Sequence, residues 1–407
     1  MPIAAEGLSE VKVSPIRRVR TGVRGVTNIE VFFDLVYAFA ITQLSHYLLD
    51  HATVEGVLQT LLLWTMVWLV WLYTTTVTNW LDPNHIAVRL MLLSLMLASL
   101  VMSAGLLDAF GDRGLAVGGA YAAMQLGRSL FAVVALRNDR LQNNFARLSV
   151  WCFFSGIFAV GGGLVHGHLR ELLWLGAVGI DIVGGMVGLY VPWLGRSTTR
   201  DWAIEGSHFA ERCQSFVMIA LGESIIVIGA GLASRDAVTW IELAALAVAF
   251  VSSVAIWWVY FDRSAGEAAR ILTASADPGQ LGRDAYAWIH PLMIAGIIAV
   301  AAGDTAMLAN PLGAAGVATT AILLGGTMLF LAGHALFKLA VWHHRPWSRV
   351  VAVAVLALLA VVGPMTPALF VGLCAAGIVT LVAVADGVQY KQRLKRVGPA
   401  VVAEVER

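Results

Sequence analysis

Ionisable side chains occur inside some of the most apolar stretches of this chain. The segment 28–46 is apolar enough to cross a membrane, yet it contains Glu30, Asp34, Gln43 and His46. A charged side chain in hydrocarbon costs roughly 2.5–3.5 kcal/mol on insertion scales, so such groups face protein or water. Buried carboxylates of this kind bind cations, relay protons or act as general acids and bases. We therefore expect function where these groups cluster.

Glu30 and Asp34 are four residues apart, which places both carboxylates on one face of a helix. One interpretation is structural: Glu30 stabilises the positive end of the helix dipole, and Asp34 pairs with an arginine. The other is functional, as a cation site, a proton site or a catalytic carboxylate pair. Gln43 and His46 lie further along the same segment.

A second polar segment, 207–231, carries His208, Glu211, Arg212 and Glu223. His208 and Glu211 are three residues apart and could bind a metal together with the acids of the first segment. A helix cap with ion pairs, in which Arg212 is the natural partner of an acid, explains the same spacing. Glu223 lies about 18 Å further along the helix than Glu211, too deep for a helix-end dipole to stabilise it.

A further arginine, Arg128, is expected in the middle of a span, where it needs an acceptor. Asp34, Glu223 and Asp181 are the candidate acceptors, and pairing of Glu223 with Arg128 would be purely structural. His334 occupies the position of Arg128 in the second half of the chain.

The composition is that of an integral membrane protein. Of 407 residues, 59% are hydrophobic and 13% charged, against about 25% charged in soluble domains. The net charge of +1 and the absence of a matching motif argue against nucleic acid as a partner. We expect no cofactor, because the three cysteines are isolated in apolar surroundings and no metal-binding spacing involves them.

Twelve segments are long enough to cross a bilayer core of about 30 Å as helices. They are 27–49, 55–78, 87–107, 114–137, 145–165, 170–191, 207–231, 238–261, 285–304, 313–337, 347–363 and 365–388. Lys and Arg collect in the connections on one side of such a bundle, which predicts that both termini are cytoplasmic. The basic first 26 residues lack an apolar core, so we expect no cleavable signal peptide.

The two halves of the chain share ordered sequence matches. Leu126-Gly-Arg128-Ser-Leu-Phe131 corresponds to Ala332-Gly-His334-Ala-Leu-Phe337, and the segment with Glu30 aligns with the one that contains Glu211. The fold expected is all-α, with two parallel six-helix repeats related by an axis along the membrane normal. The predicted divisions are a basic tail, a repeat, a linker, a second repeat and another tail: 1–26, 27–191, 192–206, 207–390 and 391–407.

The run 27–44, Thr-Asn-Ile-Glu-Val-Phe-Phe-Asp-Leu-Val-Tyr-Ala-Phe-Ala-Ile-Thr-Gln-Leu, and the runs 208–212 and 219–224 resemble the bacterial low temperature requirement protein A family. This resemblance covers nearly the whole chain. It implies a multi-span protein of the bacterial inner membrane and does not by itself imply a biochemical activity.

The first segment is also distantly similar to the first helix of the lysosomal potassium channel family. That family carries a Phe-Ser-Asp motif on a helix that lines a cation pore. Phe32 and Asp34 match the motif, Phe33 replaces its serine, and the second half reads Cys213-Gln214-Ser215 at the aligned positions.

Three hypotheses follow, and the lipid bilayer is a partner in each. The first is a transporter or channel for a small cation, proton-linked or not, with a path along the first and seventh spans. The second is a membrane-embedded enzyme acting on a lipidic or isoprenoid molecule through acidic and histidine groups, with or without metal. The third is a structural or stress-sensing protein whose acids are all neutralised by arginines. The sequence leaves open whether the chain forms a homo-oligomer.

Overall fold

The computed structural model describes residues 16–18, 25–202, 204–233, 237–262 and 264–397. Within these ranges the regular structure is helical, apart from three isolated β-bridges. The predicted tails 1–26 and 391–407 lie largely outside the described residues.

Fourteen α-helices occur in the described part of the chain. In order they are α1 (Asn28–Asp50), α2 (Val54–Thr78), α3 (Ile86–Gly105), α4 (Gly114–Ala135), α5 (Leu141–Leu164), α6 (His168–Met186), α7 (Gly206–Ala233), α8 (Trp240–Phe261), α9 (Ser264–Ala274), α10 (Pro278–Leu281), α11 (His290–Ala309), α12 (Gly316–Trp342), α13 (Trp347–Val362) and α14 (Ala368–Val397). A π-helical segment, Gly282–Ile289, leads into α11.

Twelve of these helices have 16 or more residues and match the twelve predicted spans within five residues at each end, except that α14 ends nine residues beyond the predicted span 365–388. By length and composition, ten are candidates to cross a membrane, and α4 and α6 are the two long helices outside that set. Both carry buried polar side chains, which lower their mean hydropathy. Helices suit this environment because all their interior backbone groups are paired within the segment. The protein is therefore a multi-pass, all-helical membrane protein.

The long helices run back and forth, and we call the end at which α1 begins the near end and the opposite end the far end. Helices α1, α7 and α11 all contact one another, and α1 also packs on α2 and α3. The two polar segments singled out in the sequence are thus neighbours in the structure.

A stripe of tryptophans on α2 joins the two halves. Trp64, Trp68 and Trp71 are buried, as expected for a packing stripe. The ring of Phe216 on α7 lies 4.6 Å from that of Trp71, and Trp68 Nε1 donates to the carbonyl of Ala287 at 2.9 Å. This aromatic contact holds α2 against the second half of the chain.

Helix pairings in the first half have counterparts in the second. The contacts α1–α3, α2–α6 and α5–α6 correspond to α7–α11, α8–α14 and α13–α14. These pairings are compatible with two six-helix repeats. The duplication itself stays a prediction, as do the domain boundaries that depend on it.

Candidate functional site

The start of α1 positions the first acidic residue. Thr27 and Glu30 form a capping box, in which the backbone N–H and hydroxyl of Thr27 donate to Glu30 Oε2 at 2.9 and 2.8 Å. The other oxygen, Oε1, lies 2.9 Å from His208 Nε2 and 3.2 Å from Arg212 Nη1. Glu30 is fully buried and bridges the starts of α1 and α7.

One turn further along α1, Asp34 pairs with the same arginine. Arg212 Nε donates to Oδ2 at 3.0 Å and Nη2 to Oδ1 at 2.5 Å, a two-point arrangement that fixes the guanidinium plane. Trp71 Nε1 donates to Oδ1 at 2.7 Å. Asp34 and Arg212 are both fully buried. We call Glu30, Asp34, His208 and Arg212 the near-end cluster.

The hydrogen bonds of His208 involve both of its ring nitrogens. The backbone N–H of Glu205 donates to Asn79 Oδ1 at 2.7 Å, so the amide nitrogen of Asn79 must face His208 Nδ1, 3.2 Å away, and Nδ1 accepts from it. Nε2 faces two different partners, each at 2.9 Å: Glu30 Oε1, which only accepts, and Arg18 Nη1, which only donates. His208 thus connects Asn79, Glu30 and Arg18 at the start of α7.

The near-end cluster already holds a positive charge beside its two carboxylates. The guanidinium of Arg212 lies between the two carboxylates, where a bound cation would have to be. Arg18 Nη1, 3.6 Å from Glu30 Oε1, adds a second positive charge at its edge. The cluster matches the structural interpretation of Glu30 and Asp34 more closely than the cation-site interpretation.

Two of the predicted site residues lie outside this cluster. Glu211 is half-buried on α7, and it forms no ion pair with any residue that the structure describes. Gln43 is half-buried on α1 and likewise forms no hydrogen bond within the described ranges. A metal site built from His208 and Glu211 with Glu30 and Asp34 is therefore not assembled.

Glu223 lies deep in the same α1–α7 interface and has a different environment. It is 8% exposed, and its Oε1 is hydrogen-bonded to the hydroxyl of Thr42 on α1. No Lys, Arg or His of the described residues lies within salt-bridge distance of it. The pairing of Glu223 with Arg128 that the sequence allowed is not formed.

The hydroxyl of Thr42 faces two oxygens. Its Oγ1 lies 3.0 Å from the carbonyl oxygen of Ala38 and also contacts Glu223 Oε1. A hydroxyl has one hydrogen to donate, and a carbonyl only accepts. If Thr42 donates to Ala38, a protonated Glu223 can donate to Thr42; if Glu223 is ionised, it takes the Thr42 hydrogen. Both protonation states of Glu223 are thus compatible with one backbone arrangement.

A further buried acidic side chain lies on α11, a helix that contacts both α1 and α7. Asp304 is 2% exposed, and its Oδ2 has no hydrogen-bond partner. Ser45 Oγ on α1 is likewise buried without a partner. Helices α1, α7 and α11 contact one another. Each of them carries a buried polar oxygen, on Ser45, Glu223 and Asp304 respectively, that forms no ion pair with a described residue.

Arg128 binds neutral oxygens instead of a carboxylate. Nη1 donates to the carbonyl of Val70 at 3.2 Å and to Thr74 Oγ1 at 3.1 Å, and Nη2 donates to Gln125 Oε1. The amide nitrogen of Gln125 in turn donates to Asp181 Oδ2 at 3.1 Å. Gln125 therefore links a buried arginine to a buried aspartate inside the first half.

His334 has an arginine neighbour that the sequence analysis did not single out. Arg349 Nε donates to His334 Nδ1 at 3.2 Å, while Nη1 binds Asp386 Oδ1 at 2.5 Å. Lys338 Nζ lies 3.6 Å from Asp386 Oδ2. The predicted repeat offered a signal for Asp386, because it aligns the α14 segment that contains this residue with the α6 segment that contains Asp181.

A histidine and two glutamates meet at the far end, at a place the sequence spacing did not indicate. Ligand atoms of Glu55, His168 and Glu171 all lie within 4.8 Å of one another. His168 Nδ1 is 3.1 Å from Glu171 Oε2, and Gln59 Nε2 donates to Glu171 Oε1 at 2.7 Å. The side chain of His168 is 85% exposed, so Glu55, His168 and Glu171 form a solvated cluster on the protein surface.

Comparison with known proteins identifies the family. The family model for the bacterial low temperature requirement A protein matches residues 25–384. An uncharacterized protein of Rhizobium meliloti (strain 1021) is 35% identical over 332 residues, which is 80% of each chain. No solved structure matches the chain. The match spans eleven of the twelve long helices and the first part of α14, including both polar segments, and the chain belongs to the bacterial low temperature requirement A family.

Proposed function

We propose that the protein is a proton-linked transporter of a small cation and that its path follows the contact of α1 with α7. The observation that carries this proposal is Glu223, a buried carboxyl group whose described partner is a neutral hydroxyl. Intramembrane acids without a fixed counter-ion are typical of ion pathways and proton relays.

The near-end cluster has a different role in this proposal. Arg212 already neutralises Asp34 and contributes to neutralising Glu30, so neither acid is free to bind a second cation. In this proposal α1 and α7 must separate to let a cation pass. The ion pairs that join them at the near end are therefore a barrier to its passage. Passage would require Arg212 to exchange its partners, whereas a proton or cation could bind at Glu223 without that exchange.

Orientation is part of the same proposal. Connections at the near end contain most of the basic residues, while the described far-end connections contain few, such as Arg113. Because basic residues are retained on the cytoplasmic side, this distribution supports a cytoplasmic position for the near end and both termini. Reporter fusions at the C-terminus test this: a cytoplasmic fluorescent reporter should be active, and a periplasmic phosphatase inactive.

Flux through reconstituted protein tests the transport proposal. Vesicles that contain the protein and an internal pH-sensitive dye receive a pulse of Na⁺, K⁺ or choline, and the dye reports proton movement. The wild type should respond to one of the small cations, and Glu223→Gln should abolish the response. Glu267→Gln, which removes an exposed acid near the start of α9, is the matched control and should respond normally. An unchanged response in Glu223→Gln would refute the proposal.

A second candidate function, a membrane-embedded enzyme acting on a lipidic or isoprenoid substrate, has one observation in its favour. A large, mainly apolar cavity opens between the two halves at the near end. Its described lining includes hydroxyl and guanidinium groups but no carboxylate or histidine, the groups most often used for general acid–base catalysis. The transport proposal is therefore better supported than the enzyme.

A further inference from the structure

The cavity at the near end has a volume of about 560 Å³ and lies apart from Glu223. Its walls come from the last turns of α2 and α6, the segment that connects α6 to α7, and the residues around α10 and the π-helical segment. This volume is within the roughly 300–1,000 Å³ of typical ligand pockets. The cavity is thus a separate feature from the proposed transport path.

Most of its inner surface is apolar and aromatic. Trp80, Trp202 and Trp288 contribute indole rings, and Leu72 and Phe209 contribute further apolar surface. Trp80 and Trp202 are in contact, with ring centroids 5.4 Å apart. Such a surface favours a hydrocarbon chain over a soluble, fully polar molecule.

The wall formed by the α6–α7 connection is held in place by specific bonds. Gly188 has φ +70°, and a Cβ there would lie 2.3 Å from the carbonyl oxygen of Ser197. The backbone N–H of Ser197 donates to the carbonyl of Gly188 at 2.8 Å, and Trp202 Nε1 donates to Ser197 Oγ at 3.0 Å. The cavity is consequently preformed and does not depend on a ligand to order its wall.

A further hydrogen bond ties this wall to the second half of the chain. Thr199 Oγ1 donates to Asp277 Oδ2 at 2.6 Å, and this bond holds the pKa of Asp277 below its usual range. Asp277 therefore stays ionised at neutral pH and keeps the connection closed over one side of the cavity.

Two arginines give the cavity a positive rim. Arg196 is exposed and has no ion-pair partner among the described residues, and the side chain of Arg283 is 35% exposed and bonded to Asp284. Both side chains line the cavity, whereas no carboxylate does in the described lining. Positive side chains beside an apolar slot match the chemistry of an anionic lipid, whose headgroup lies next to its chains.

We propose that this cavity binds a membrane phospholipid with an anionic headgroup. One acyl chain lies against Trp80, Trp202 and Trp288, and the phosphate contacts Arg196 and Arg283. The site spans the junction between the two halves, so a bound lipid stabilises their arrangement at the near end. This inference is independent of the transport proposal, because it involves neither Glu223 nor the near-end cluster.

Native mass spectrometry of the purified, delipidated full chain tests the proposal. The protein is titrated with phosphatidylglycerol or with phosphatidylcholine of identical acyl chains, and the affinity for the first bound lipid is measured. Deacylated glycerophosphoglycerol tests the headgroup alone. The wild type should prefer phosphatidylglycerol by about thirtyfold, the effect expected of two basic side chains at an anionic lipid surface. Deacylated headgroup should bind at least tenfold more weakly than the intact lipid, on the order of what loss of apolar burial predicts.

Three variants separate the parts of the site. Arg196→Ala with Arg283→Ala should reduce the preference to within about threefold. Arg89→Ala removes an exposed arginine from the same end outside the cavity and should leave the preference unchanged. Gly185→Leu should weaken both lipids alike, because a side chain there enters the slot beside Trp288.

The outcomes distinguish the alternatives. Equal binding of both lipids by the wild type, or a preference that survives removal of both arginines, would overturn the proposal. Tight binding of the deacylated headgroup would also overturn it and would indicate a site for a soluble anion. If the double variant does not fold, Arg196→Gln alone should still reduce the preference about fivefold, since this exposed side chain has no described partner.

Discussion

The α1–α7 interface has two polar levels, and they are built differently. At the near-end cluster, two buried acids share Arg212 and every acidic oxygen has a donor. Deeper in the interface, the hydroxyl of Thr42 is the only hydrogen-bond partner of Glu223 among the described residues. The same helices thus hold one level that is fully paired and another that is not.

This difference separates structural acids from a functional candidate. A buried ion pair stabilises mainly by avoiding an uncompensated charge, so removal of one member is costly. A carboxyl group without a counter-ion offers little stability and is free to exchange a proton. The variants below are ordered by the loss of stability expected of each, and together they test whether the two levels really differ.

The largest effect is expected for Asp34→Ala. This change leaves Arg212 buried next to a cavity with only Glu30 as acidic partner, and loss of one member of such a pair costs about 3–5 kcal/mol. Thermal unfolding of the detergent-purified protein measures it. Asp34→Leu combined with Arg212→Met should recover much of the loss, because Glu30 keeps His208. If the double variant unfolds at a temperature no higher than that of Asp34→Ala, the pairing of Asp34 with Arg212 is not the reason for the loss of stability.

A smaller loss is expected for Glu30→Gln. The amide can still accept from Thr27 or His208, but the charge that faces Arg212 is gone, so we expect about 1–3 kcal/mol. Thermal unfolding again provides the measurement. Glu267→Gln, an exposed acid, is the matched control and should change stability by less than about 0.5 kcal/mol. A loss in Glu30→Gln as small as in the control would show that the capping box alone holds this residue.

Thr42→Val should cost about 1 kcal/mol, the usual value of one hydrogen bond with a buried partner left behind. Under the transport proposal it should also shift the pH dependence of flux, because Glu223 loses the partner that responds to its protonation. Vesicle flux measured across a pH series checks this expectation. An unchanged pH dependence of flux would mean that the Thr42 hydroxyl contributes to packing and not to proton transfer at Glu223.

The smallest effect on stability and the largest on transport are expected for Glu223→Gln. The amide keeps a hydrogen bond with Thr42 and loses no ion pair, so stability should change by less than about 1 kcal/mol. Proton-linked flux should be lost. A stability loss as large as that of Asp34→Ala would contradict the distinction between the two levels, since it would reveal a hidden counter-charge.

Much of the fold could be predicted from the sequence, because a membrane span is a local property. Twenty apolar residues need a helix to pair their backbone groups, and this requirement fixes the number and approximate ends of the twelve long helices. Helix α9 and the π-helical form of Gly282–Ile289 were missed, since neither segment is long or apolar enough to give such a signal.

The site was predicted only in part. The sequence singled out Glu30, Asp34, His208 and Arg212, and the structure brings these four together. It also singled out Glu211 and Arg128, which lie elsewhere, because helix rotation decides which residue faces a neighbour. Asp386 was missed although it binds Arg349, since its own segment shows no unusual spacing of polar residues and only the repeat, through Asp181, marks its position.

By itself, the sequence determined the class of protein, the number of long helices and the presence of acids in two apolar segments. These follow from composition and from the cost of burying charge, which are independent of how helices pack. Only the tertiary structure decided which acids have a counter-ion. Pairing depends on the approach of α1 to α7 within a few ångström, and it left Asp34 with Arg212 and Glu223 with a hydroxyl group.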